Sequence, residues 1–64
     1  MATRSKIITD FQSSGRTHDA AVDAVARWLS AGYPQDELLK YVGGISAVAL
    51  LQGQQAAVSA DYIH

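Results

Sequence analysis

The stretch Gly32-Tyr33-Pro34-Gln35-Asp36-Glu37-Leu38-Leu39-Lys40-Tyr41-Val42-Gly43-Gly44-Ile45-Ser46 confines the chain to short helices joined by tight turns. Gly32 suits the left-handed position just past a helix end. Pro34 suits the first turn of the next helix, where a missing N–H costs nothing. Gln35, Asp36 and Glu37 follow, with the two acids beside the positive end of the helix dipole. Gly43 and Gly44 stop that helix after about two turns, and Ser46 is placed to cap another.

The helix before this stretch is the clearest in the chain. Thr17 is a good N-cap, with Asp19 in the first turn. Ala21, Val22, Val25, Trp28 and Leu29 form one apolar stripe, while Asp19, Asp23, Arg27 and Ser30 lie on the other side. Trp28 is the largest apolar side chain and is expected to anchor the core. The second helix runs from about Pro34 to Val42, with Leu38, Leu39 and Val42 facing inward. The third begins after Ser46, where Ile45 and Leu50 have the spacing of a hydrophobic staple. Val48, Leu51 and Val58 continue its stripe. Gly53 costs about 1 kcal/mol inside a helix and marks either a bend or a close helix contact.

At the other end, Ile7, Ile8 and Phe11 share a helical face, which favours a short helix over the strand that Ile-Ile-Thr would also suit. Ser13-Ser14-Gly15-Arg16 reads as a turn. The expectation is an all-α three-helix bundle, with a short extra N-terminal helix as an addition. Residues 1–16 form an N-terminal segment and hinge, 17–60 the helical domain, and 61–64 a tail. The expected core is Trp28, Leu29, Leu38, Val42, Val48 and Leu51.

A chain of 64 residues buries only about 60% of its unfolded surface and is marginal alone. With no cysteine, disulfides and Cys-based zinc sites are excluded, which leaves tight packing or association. Charged residues make up 17% of the chain, below the usual quarter, and the net charge is −1. So little charge points to a surface partly covered by another molecule. The longest apolar run, Ala47 to Leu51, is far short of a membrane span, and no secretory signal is expected at the N-terminus. The absence of cysteine fits a reducing compartment, so a cytoplasmic protein is expected, of a size at home in a bacterium or bacteriophage.

Residues that carry chemistry are sparse. Asp19 and Asp23 share a helix face, but a metal needs three or four convergent ligands and His18 lies off that face. The serines lack a nucleophile signature, and there is no glycine-rich phosphate loop. No catalysis, metal or cofactor is expected. Tyr33 and Tyr41 fall off the main apolar stripes and have the character of interface anchors. Gln52, Gln55 and Tyr62 lie on a weakly charged helix end suited to helix–helix association. These five residues are the expected protein-binding set, with another protein or a second copy as partner.

Two resemblances qualify this reading. Gly32 to Gly43 resembles the first half of DNA-binding helix–turn–helix units, which run G-x-S-x-x-E-I-A-x-x-L-G. The family then expects one apolar residue and a serine, whereas here Gly44 intervenes before Ile45-Ser46. The segment in the recognition-helix position, Ala47 to Ala57, has no Lys or Arg, so nucleic-acid binding is not expected. Glu37, Leu38, Tyr41 and Gly43-Gly44 resemble the end of a double-glycine leader in a bacterial peptide precursor. That resemblance implies cleavage after Gly44, releasing Ile45 to His64.

Overall fold

The computed structural model describes residues 3–63 of the chain, with side chains through residue 59. It contains four helices: α1 (Arg4–Ser13), α2 (His18–Ser30), α3 (Gln35–Tyr41) and α4 (Ala47–Ile63). Among the described residues there is no strand. The protein is a small all-α bundle with an additional N-terminal helix, as the sequence pattern predicts. α2 is its axis: α1, α3 and α4 all pack on it, α4 most extensively.

Local chemistry sets the helix boundaries. The Thr3 hydroxyl accepts from Lys6 N–H at 3.2 Å and opens α1. Ile7 and Phe11, one turn apart, are both buried, so α1 contributes to the same core as α2. The Thr17 hydroxyl accepts from Ala20 N–H at 3.2 Å and opens α2. This helix buries Ala21, Ala24, Val25 and Trp28. It ends at Gly32, whose φ of 86° needs no Cβ. Gly32 N–H reaches Leu29 O at 3.0 Å and Tyr33 N–H reaches Trp28 O at 3.2 Å, the paired bonds of a Schellman stop.

That stop places Trp28 at the centre of the molecule. Its ring is 0% exposed, and its indole N–H donates to the Pro34 carbonyl at 2.6 Å. A buried indole needs such a partner. The bond ties α2 to the start of α3, where Pro34 occupies the capping position itself rather than the first helical turn. α3 has seven residues, too few to be stable without packing. It buries Leu38, and Val42 just beyond its end is also buried. Leu39, expected inside, is 37% exposed. A seven-residue helix packed chiefly on α2 buries a single narrow stripe, and Leu38 with Val42 fills it.

α4 follows the Ser46 cap, whose hydroxyl accepts from Ala49 N–H at 3.1 Å. Its rotation differs from expectation. Val48 and Leu51, expected in the core, are 59% and 56% exposed, and Val58 is 63% exposed. The buried residues are instead Ala49, Gly53 and Ala57, spaced four apart. The reason is backbone proximity. A Cβ placed on Gly53 would sit 2.6 Å from Val25 Cγ1 and 3.0 Å from the Val22 carbonyl oxygen. Only a row of small side chains allows α4 to lie this close to α2, and that row places the large aliphatic residues outside. Of the two roles the sequence leaves open for Gly53, the close contact is the one observed.

Two opposed effects act on Gly53→Ala. Helix propensity alone favours alanine by about 1 kcal/mol, while overpacking typically costs 1–3 kcal/mol. Here the clash includes backbone, so steric cost dominates and a net loss of about 1–2 kcal/mol is expected in urea unfolding. In a Val25→Gly background, which removes both Val25 atoms that the new Cβ would meet and leaves only the Val22 carbonyl oxygen, the added loss from Gly53→Ala should shrink, with a coupling of about 1 kcal/mol. Additive effects would mean that the two helices do not meet at this crossing.

Candidate protein-binding surface

α4 has two unlike faces. The inner face is small and buried. The outer face carries Val48, Leu51, Gln55 and Val58, all exposed. Helical geometry sets these positions in a row with alternating spacings of three and four. Gln55 lies near the middle of that face, opposite Gly53. Gln52 and Ser59, also exposed, flank the row on one side, and Gln54 flanks it on the other. From Ala47 to Ser59 the helix carries no charged residue.

The five expected binding residues are distributed unevenly. Gln52 and Gln55 belong to the outer part of α4. Gln52 is also tied to the start of α2, its Oε1 lying 2.6 Å from His18 Nε2. Gln54 hydrogen-bonds to Gln35 at the start of α3, so amides brace α4 against two other helices. Tyr41 closes α3 and is 59% exposed. The side chain of Tyr62 lies outside the described residues. The sequence places it four positions beyond Val58, in the same spacing.

Tyr33 is half-buried and engaged within the fold. Its ring lies 5.0 Å from that of Trp28, tilted by 60°. The Arg4 guanidinium lies over the same ring, 4.6 Å from its centroid, a cation–π distance. Arg4 also pairs with Glu37 at 3.2 Å, linking α1 to α3 across the tyrosine. Val48, Leu51 and Val58 are the surface residues that the sequence reading assigned to the interior stripe. Their three-and-four spacing was the signal available.

Charge elsewhere is largely neutralised in place. Arg27 lies 2.9 Å from Asp23 and 3.9 Å from Asp10, and Lys6 lies 3.5 Å from Asp10. Asp10, Asp23 and Arg27 border a shallow cleft of about 80 Å³ between α1 and α2, floored by Ile7, Phe11 and Ala24. Of the remaining basic side chains, Arg16 is in the α1–α2 turn and Lys40 in α3. Among the described residues no cluster of three His, Asp or Glu could hold a metal. No described helix is long and apolar enough to cross a membrane. Gly43 and Gly44 are exposed in the turn between α3 and α4.

Neither family models, nor curated proteins, nor solved structures give a match to this chain.

The two loop-side tyrosines should separate by stability. Tyr33→Ala removes a packed ring and is expected to cost about 1–3 kcal/mol in urea unfolding, less than a fully buried aromatic. Tyr41→Ala should stay within about 0.5 kcal/mol of the parent, as exposed substitutions do. Equal midpoints for both variants would remove Tyr33 from the packing cluster around Trp28.

Proposed function

We propose that this protein is a small, non-enzymatic protein-binding module that acts through the outer face of α4. An adaptor, an inhibitor or an assembly subunit would all work this way. The observation that carries the proposal is the exposed row Val48, Leu51 and Val58 on a helix segment without charge. Scattered exposed aliphatics are ordinary, but an aligned row bordered by polar residues is the mark of a contact site. Tyr41 adds an exposed aromatic of the kind enriched in interfaces. Full burial of a Val or Leu side chain contributes about 1.5–3 kcal/mol. Three that are more than half exposed therefore have enough in reserve to offset a useful part of the cost of association. The absence of cysteine fits work in a reducing compartment such as the cytoplasm.

Nucleic acid is the less favoured partner on electrostatic grounds. Phosphate neutralisation supplies most non-specific affinity for DNA. The face of α4 has no base to offer, and Arg4, Lys6 and Arg27 already face carboxylates. A mobility-shift titration with duplex DNA at about 150 mM salt is expected to show no sub-micromolar complex, non-specific binding there being on the order of 10⁻⁴ to 10⁻⁶ M. A tighter complex would reassign the helical unit as a DNA reader.

Photocrosslinking tests the surface directly. A photoreactive phenylalanine analogue at position 58 should give covalent protein adducts in an extract of the source cells. The same group at Gln12, exposed on α1, should not. Leu51→Lys, which places a charge in the row, should suppress the adducts. Equal yields from positions 12 and 58, or none from 58, would remove α4 as the contact surface.

A further inference from the structure

We infer that the partner seated on the outer face of α4 is a second copy of this chain, joined helix to helix with Gln55 inside the seam. This inference rests on the protein-binding reading of α4 and names its occupant.

The spacing comes first. Val48, Leu51, Gln55 and Val58 follow the three-and-four alternation of the a and d positions of a heptad, with Val48 and Gln55 at a and Leu51 and Val58 at d. Two helices bearing this pattern interlock side chain into gap. β-branched residues at a with Leu at d favour two strands. One heptad here has Val at a and Leu at d; the next has Gln at a and Val at d.

Charge decides between self and non-self. Helices that choose a different partner do so with charged residues at the e and g positions beside the seam. Between Ala47 and Ser59 those positions hold Ala47, Gln52, Gln54 and Ser59, with no charge of either sign, and Asp61 takes the g position that follows. Over residues 47–59 a second copy therefore meets no repulsion, and a charged groove finds nothing to match. A glutamine amide both donates and accepts, so it is its own complement. Gln52 and Gln54 are held by His18 and Gln35 within the fold. Gln55 stands at the middle of the open face. In a parallel pair it faces the partner copy's own amide, and a polar residue at one a position sets register and strand number at some expense of affinity.

The area agrees. Three side chains more than half exposed make a patch of about 300 Å², the lower end of the range for the largest patch on a typical monomer. Two such patches together bury on the order of 600 Å², which is the size of a weak and reversible contact. The dimer is accordingly one that forms and separates with concentration.

Sedimentation equilibrium of the intact protein, from about 10 µM to 1 mM, tests this. Wild type should pass from monomer towards dimer across the range. Leu51→Lys and, independently, Val58→Lys should remain monomeric at the top of it. Far-ultraviolet circular dichroism should show unchanged helix content, because both side chains are exposed in the monomer. Gln55→Leu should tighten association at least tenfold. A wild type and a Gln55→Leu variant that are both monomeric at 1 mM would overturn the inference. So would dimerisation undisturbed by both lysine variants. If the photocrosslink at position 58 then captures a different protein and not a second copy, the protein-binding reading stands and self-association falls. If it captures nothing, both fall.

Discussion

The contact between Gly53 and Val25 governs the rest of this structure. α2 carries every other helix, and α4 is its longest partner. How closely α4 approaches depends on the absence of a side chain at position 53, where a Cβ would enter the Val25 side chain and press on the Val22 carbonyl. Once that approach is made, the rotation of α4 is settled. Ala49 and Ala57 come to the inside with Gly53, and the larger aliphatics on the opposite side face solvent. A glycine that weakens the helix by about 1 kcal/mol on propensity is offset by dispersion contacts along the whole crossing.

Trp28 is the second organising element, and it works by hydrogen bonding as much as by bulk. The left-handed turn at Gly32 brings the chain back over the indole, so the Pro34 carbonyl lies 2.6 Å from its N–H. Tyr33, between the two, is pressed against the ring. Arg4 reaches it from α1 and continues to Glu37 on α3. The Arg4–Glu37 pair is substantially exposed and worth little on its own. Its effect is to orient α1 over a cluster that apolar burial already holds together.

Local signals were legible in the sequence. Thr17, Gly32 and Ser46 act where their chemistry suggests, because caps and left-handed turns depend on residues within a few positions of each other. The face of α1 was legible for the same reason, since Ile7 and Phe11 are one turn apart. The rotation of α4 was not. That helix is apolar almost all round, with alanines, valines and leucines on every side, so hydropathy cannot choose its inner face. Size chooses it, in the reverse of the usual order, and the choice depends on Val25 in another helix. The exposed face of α4 was half legible for this reason. Gln52 and Gln55 lie where a weakly charged helix face was expected, while Val48 and Leu51 belong with them rather than with the core. Tyr33 looked free because Arg4, which covers it, is far away in the chain.

The division of α4 into a small inner row and a large outer row leaves the crossing with α2 and the exposed stripe with no residue in common. Changes at 48, 51, 55 and 58 alter what the surface meets and leave the crossing with α2 intact. Changes at 49, 53 and 57 act in the opposite sense. Such a chain can therefore vary along a single helical stripe, and change the chemistry of its surface, without passing through an unfolded intermediate sequence. The glycine that holds the helix close has no room to vary at all.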